Sequence, residues 1–179
     1  CLGVLVVHCF FSGLSGLGIN EMNTYPKRTR LKTFDYKGMY RYSITICNDY
    51  KHTYFKNNDT VTMCMSALNT ISEKNGFLVW AYCFMPDHLH LLIEGTRKSS
   101  DLKRSISEFK QSTGYSFKRK NGKKLWQESY YDHVLRDKES AKKAAEYILM
   151  NPVRKGLANN CNDYPFSGSF KLDMDNLVL

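Results

Sequence analysis

The sequence predicts an α+β fold: an antiparallel sheet laid down in β-α-β-β-α-β order, with helices on one face and one more helix near the C-terminus. Three observations predict it. Apolar and polar side chains alternate over 39–47 (MYRYSITIC), the period of a half-buried strand. Two apolar runs, 77–84 (FLVWAYCF) and His88 to Glu94, flank the turn Met85-Pro86-Asp87 and read as a pair of strands. Apolar residues recur at helical spacing on either side of that pair and again near the C-terminus.

In the first strand Tyr40, Tyr42, Ile44 and Ile46 share a face. Asp59 is placed to cap a helix carrying Val61, Cys64, Met65, Leu68 and Ile71, which Gly76 ends. After the paired strands, Ser99, Ser100 or Asp101 caps a second helix with Leu102, Ile106, Phe109 and Thr113 on one stripe. Residues 118–124 (KRKNGKK) read as a basic loop, and 125–135 (LWQESYYDHVL) as extended, with Tyr131, His133 and Leu135 to one side. Asp137 caps a last helix whose stripe is Ala141, Ala144, Ala145, Ile148 and Leu149. Pro152 stops that helix and biases Asn151 away from helical backbone. The order is that of the ferredoxin-like split β-α-β motif, which leaves the second sheet face open.

The chain has 179 residues, a length that suits one domain with a substantial core. Hydrophobic residues make up 42%, which excludes a largely disordered chain. Lys and Arg number 26 against 17 Asp and Glu, a formal charge of +9, and such a balance favours a polyanionic partner. The cysteines at 1, 9, 47, 64, 83 and 161 form no C-x-x-C pair and read as reduced thiols of a cytoplasmic protein. Residues 2–11 (LGVLVVHCFF) are apolar but short of the roughly 20 needed to span a bilayer. No basic segment precedes them, and the first methionine is Met22. Residues 1–21 are therefore expected to lie outside the fold, with one domain over 22–179; a membrane-associating leader is the alternative.

Three sets of residues carry chemistry. His88 and His90, two apart in a strand, project from the same face while Leu89 and Leu91 project to the other. Two convergent imidazoles are a natural metal-ligand pair, although H-x-H alone also fits two exposed histidines. Tyr147 falls about 130° from the centre of its helix's apolar stripe, so it projects away from the core. Asn151, four residues on, is offset by about 40° around the axis. Its amide oxygen is a candidate third ligand, and a C-cap before proline is the equal alternative. Arg97, Lys98, Lys103, Arg104, Lys110, Lys118, Arg119, Lys120, Lys123 and Lys124 face two acids in the same stretch, a local balance of +8. Such a stretch suits a phosphate-tracking surface, with Lys27, Arg28, Arg30 and Lys32 as a second cluster. Tyr115, Phe117 and Trp126 are candidates to stack on unpaired bases or to join the core.

The segment MPDHLHLLIEG resembles the paired-histidine (HUH) motif of single-tyrosine transposases. AEYILMNPVRKGL resembles their nucleophile helix in the form found in REP-associated tyrosine transposases. RLKTFDYKGMYRYSITIC, LWQESYYDHVLRD and DYPFSG match the same subgroup in order, so the resemblance covers roughly residues 27–170. It implies a metal-dependent endonuclease that cuts and rejoins single-stranded DNA at imperfect hairpins. Residue by residue, it implies His88 and His90 as metal ligands, Tyr147 as nucleophile, and Asn151 where classical relatives carry a glutamine ligand. Because a phenol titrates near 10, only about 0.1% is phenolate at neutral pH, and a divalent ion would have to offset the charge of the phosphate under attack. Attack by Tyr147 gives a 5′-phosphotyrosine and a 3′-OH. Mixed nitrogen and oxygen ligation suits Mn²⁺ and, less ideally, Mg²⁺. His133, Trp126 and Gln127 are candidates for DNA contact or for structural hydrogen bonds. The resemblance leaves monomer and homodimer both open.

Three other readings compete. An RRM-like module would bind single-stranded nucleic acid through Tyr40 and Tyr42 on an open sheet face. No RNP1-like pattern is present, and a central strand carries His88 and His90 instead. A replication initiator or relaxase would need further domains. A degenerate transposase would not need His88, His90 and Tyr147 together.

Overall fold

The computed structural model describes residues 33–135 and 141–171. In chain order the elements are β1 (Arg41–Cys47), α1 (Asn58–Lys74), β2 (Phe77–Met85), β3 (His88–Gly95), α2 (Leu102–Asn121), β4 (Tyr131–Val134), α3 (Ala141–Leu149), the single turn α4 (Asn151–Arg154) and β5 (Ser167–Gly168). The strands form one sheet in the order β4-β1-β3-β2-β5, with each neighbouring pair antiparallel. Its first four strands follow the split β-α-β order expected from the sequence. β5, drawn from the DYPFSG segment, was not foreseen and pairs with Tyr82 and Cys83 of β2.

Local chemistry sets the helix boundaries. Asn57, not Asp59, caps α1: its side chain accepts the Thr60 N–H at 3.1 Å. Asp59 lies in the first turn, where its charge suits the helix dipole. Asp101 caps α2 by accepting the Arg104 N–H. The stripe of Leu102, Ile106, Phe109 and Thr113 continues to Phe117, so α2 runs on through the stretch expected to be a basic loop. Lys118, Arg119 and Lys120 thus sit in its last turn, and Gly122 ends it in the left-handed region at φ 67°. Only Tyr131–Val134 of the expected 125–135 extended segment is strand, with Trp126 forming an isolated bridge to Asn48. Pro152 does end α3, but the chain turns again at once, with Asn151 and Pro152 opening α4. Asp137 and the cluster Lys27, Arg28, Arg30 and Lys32 lie outside the described residues, as does the 1–21 segment.

The main core lies between one sheet face and α1 with α2. Tyr42, Ile44 and Ile46 of β1 and Leu89, Leu91 and Ile93 of β3 meet Phe55, Leu68, Phe84, Ile106 and Phe109 there. Each such side chain contributes about 1.5–3 kcal/mol by leaving water. Tyr42 is wholly buried in this core, so it cannot serve as a base-stacking platform on an open face. The second face is not bare. A smaller cluster joins Ala81, Cys83, Met85 and Leu92 of the sheet to Leu135 and to Ala145, Ile148 and Leu149 of α3. α3 therefore lies across the sheet from α1 and α2.

Candidate active site

β3 is bonded to β1 on one side and β2 on the other. Strand alternation sends Leu89, Leu91 and Ile93 into the main core and His88, His90 and Leu92 to the face that α3 covers. Across that face the register aligns Tyr131 of β4, Thr45 of β1, His90 of β3 and Cys83 of β2 in one row. The two imidazoles stand at 89° to each other with centroids 4.6 Å apart. Their Nε2 atoms converge to 2.9 Å. Each Nδ1 is held from behind: His88 by Asp87 Oδ1 at 2.5 Å, His90 by Thr45 Oγ1 at 3.0 Å.

These partners bear on the tautomers. Burial works against ionisation of Asp87, but the hydrogen bond and charge of His88 outweigh it and hold the carboxyl below its ordinary value. An ionised carboxylate only accepts, so His88 Nδ1 donates, and in the neutral ring its Nε2 then presents a lone pair. Burial, then His88 and then Arg154 push the His90 imidazole down to about 3, so it is neutral at physiological pH. The Thr45 hydroxyl can donate to His90 Nδ1 or accept from it. When it donates, His90 Nε2–H bonds to His88 Nε2. When it accepts, two lone pairs meet 2.9 Å apart, which only a cation between them would stabilise. Ligand bonds of about 2.1 Å to nitrogens at that separation meet near a right angle, as an octahedral ion requires. The pair therefore fits a divalent ion. Among the described residues no three His, Cys, Asp or Glu side chains form a cluster able to hold a metal.

Tyr147 stands on α3, on the same side of the sheet as the histidines, and is 47% exposed, off the apolar stripe as its position predicts. Asn151 is buried, and its amide is already engaged. Nδ2 donates to the Ile148 carbonyl at 3.2 Å, and Oδ1 accepts from Arg154 Nη2 at 2.7 Å. Arg154 Nη2 also donates to the Tyr147 carbonyl at 2.7 Å, and the guanidinium carbon lies 3.9 Å from the Tyr147 ring centroid. Arg154, Asp87 and Thr45 are site residues that sequence reasoning missed. Arg154 follows Tyr147 by seven residues, a two-turn spacing that was legible. Asp87 directly precedes His88. Thr45 emerges only from strand register.

The basic stretch lies elsewhere. α2 packs on the main-core face, so its cations sit across the sheet from His88 and His90. Lys103 lies 4.9 Å from the Tyr36 ring centroid, Arg104 bonds Glu108 at 3.0 Å, and Lys120 bonds Asp59 at 2.9 Å. Lys124 lies 3.7 Å from Asp49. Lys110 donates to the backbone carbonyls of Gln127 and Glu128 at 2.7 Å and of Ser129 at 3.3 Å, so it anchors that loop. Lys118, Arg119 and Lys123 are exposed, as are Arg97 and Lys98 in the turn before α2. Lys103, Lys110, Lys118, Lys124 and Tyr115 line a groove of about 620 Å³. Tyr115 is exposed, whereas Phe117 is core and Trp126 is buried with Nε1 donating to Thr113 Oγ1 at 2.8 Å. Trp126 is thus a structural residue and not a base-stacking one. His133, paired opposite Ser43, is exposed on the histidine side of the sheet.

Known proteins share this arrangement of sequence and fold. A Haemophilus influenzae relative named among REP-associated tyrosine transposases is 27% identical over 154 residues, covering 80% of this chain and 85% of that one. The REP-associated tyrosine transposase of Escherichia coli is 25% identical over 105 residues, covering 59% of this chain and 62% of its own. A solved REP-associated tyrosine transposase bound to a REP hairpin superposes with a TM-score of 0.64 at 20% identity, covering 78% and 82% of the two chains, which establishes the shared fold. Among the described residues no helix is long and apolar enough to cross a membrane. The family described as "Transposase IS200 like" matches residues 37–151, more than half of the chain. With paired histidines on a central strand and a tyrosine-bearing helix on the same sheet face, the chain belongs to the IS200-like transposase family.

Proposed function

We propose that this protein cuts and rejoins single-stranded DNA beside imperfect hairpins, using Tyr147 as nucleophile and a divalent ion, Mg²⁺ or Mn²⁺, held by His88 and His90. The observation that carries the reading is the convergence of the two Nε2 atoms to 2.9 Å on the face where Tyr147 stands. The hairpin-bound state of the solved relative supports the substrate class.

When bound, the ion would polarise a phosphate oxygen and offset developing negative charge. The chain's own groups would do the rest. Asp87 and Thr45 orient the imidazoles. Tyr147 Oη attacks phosphorus in line, so a P–O bond to tyrosine forms as the P–O3′ bond breaks. The phenol proton is lost and the 3′-oxygen gains one, leaving a 5′-phosphotyrosine and a free 3′-OH. One diester replaces another, so rejoining needs no nucleotide cofactor. Asn151 Oδ1, which accepts one hydrogen bond from Arg154, would offer its second lone pair to the metal. Lys118, Arg119, Lys123, Arg97 and Lys98 offer charge to the hairpin phosphates, and His133 a contact on the site's own face.

The test is a covalent-adduct assay with hairpin DNA from the flanks of the protein's own gene, with Mn²⁺ or Mg²⁺, on denaturing gels. A metal-dependent adduct is expected for the wild type and none for Tyr147→Phe or His88→Ala, with hairpin binding retained in Tyr147→Phe. Hairpin binding with no adduct from the wild type would refute the nuclease reading in favour of a binding protein.

A further inference from the structure

Arg154 occupies a place that the metal-and-tyrosine scheme does not explain. Its Nη2 spends both hydrogens inside the protein, one on the Tyr147 carbonyl and one on Asn151 Oδ1, each at 2.7 Å. Those bonds hold the guanidinium over the Tyr147 ring, its carbon 3.9 Å from the centroid. Arg carries five N–H donors in a rigid fork. Nη1 and Nε make no hydrogen bond among the described residues, and the residue is exposed. The guanidinium thus lies against the candidate nucleophile and beside Asn151.

Fixed charge in that place calls for an anion. A divalent ion at His88 and His90 would add a second positive group nearby, and Asp87 offers one carboxylate in return, already bonded to His88. A phosphodiester lying between Tyr147 and the histidine pair would meet both cations at once. With Nη2 spent inside the protein, Nη1 is left to donate to a phosphate oxygen, and lysine reproduces the charge without a planar group to lie over the tyrosine ring.

We propose that Arg154 is a catalytic residue of this site, donating from Nη1 to an oxygen of the scissile phosphate while its guanidinium, lying over the Tyr147 ring, holds that ring in line. The proposal rests on the tyrosine-nuclease reading above and adds a second cation that owes nothing to the metal. Nothing is consumed: the guanidinium stays protonated and donates hydrogen bonds to the phosphate oxygens during the attack already described.

The experiment measures single-turnover adduct formation and hairpin affinity side by side for the wild type, Arg154→Ala and Arg154→Lys, with and without added methylguanidinium. Losing a preorganised donor to a developing phosphoryl charge slows such steps by about 10²–10³-fold. Arg154→Ala is expected to slow adduct formation by about 10²-fold while hairpin affinity stays within about threefold. Arg154→Lys is expected to recover part of the rate, and methylguanidinium at least about tenfold of it in the alanine variant. An alanine variant as fast as the wild type overturns the proposal. So does a slow variant that neither lysine nor methylguanidinium relieves, because that marks a purely structural role. A wild-type chain that forms no adduct refutes the parent reading itself, a different result from either.

Discussion

Asp87 and Thr45 decide which nitrogen of each histidine faces the site, and neither need touch substrate. Asp87 accepts from His88 Nδ1 and so forces the lone pair onto Nε2. Asp87→Asn keeps the shape but can turn its NH₂ toward Nδ1 and reverse that tautomer. Metal affinity is expected to fall by about 10–100-fold, read by titrating Mn²⁺ against the protein's enhancement of water-proton relaxation. An unchanged affinity would show that His88 is oriented by its ring packing alone. At this scale the sequence was partly legible. His88, His90 and Tyr147 were visible as residue types at spacings, because strand and helix periods fix the side each projects to. Thr45 was not, because its pairing with His90 across two strands, 45 residues apart, depends on register.

At the scale of elements, α1 and α2 are tied at one end by Glu108. It accepts from Asn75, Arg104 and Lys74, and those bonds hold its carboxyl down to about 2, against an ordinary value of 4.5. A carboxyl lowered in the folded state gives stability that is full above its ordinary value and lost as pH falls toward the folded value. Acid melts from pH 4.5 to 2 should therefore destabilise the wild type more steeply than Glu108→Gln, and parallel curves would dismiss the tie. Lys110 has a similar structural duty toward the 127–129 loop. Lys110→Met is expected to cost about 1–3 kcal/mol and to lower the melting temperature by several degrees. It should weaken hairpin binding no more than removal of exposed Lys118 does. The sequence counted Lys110 among ten equivalent cations. Its neighbours across the loop lie 17 to 19 residues away, and charge counting carries no information about them.

Over the whole molecule, the basic run carried by α2 and the candidate chemistry occupy different layers. The basic run reads as one patch in the sequence, yet α2 carries it on the side of the sheet away from His88 and His90. A DNA that used both would have to pass an edge of the sheet. Changing Lys118, Arg119 and Lys123 together to Gln should weaken hairpin binding and flatten its dependence on salt, by about one unit of logarithmic slope for each phosphate that is no longer neutralised. The rate of adduct formation at saturating DNA should change little. If that rate collapses while the salt slope stays, the α2 surface is not the hairpin grip. The same layering shows where the fold was legible. Strand and helix order followed from periodicity, but that order alone did not reveal that α3 crosses to the second face. Its stripe of Ala145, Ile148 and Leu149 would pack equally well on either side, and the partners that decide it, Ala81, Cys83, Met85 and Leu92, belong to strands that look apolar on both faces.

Two imidazoles whose Nε2 atoms lie 2.9 Å apart are a poor gatekeeper. Nitrogen donors favour late transition metals, with affinity rising from Mn²⁺ to Cu²⁺ and remaining high for Zn²⁺, while Mg²⁺ binds them reluctantly. If a divalent ion works here, its identity is left to supply and not to the protein. Traces of zinc or copper would then occupy the pair and poison the reaction, and a chelator followed by Mn²⁺ would revive it. Activity that holds steady through stoichiometric Zn²⁺ would mean that donors beyond the histidines do the selecting. On this account the cell's metal economy, more than any residue of the chain, would set when DNA is cut.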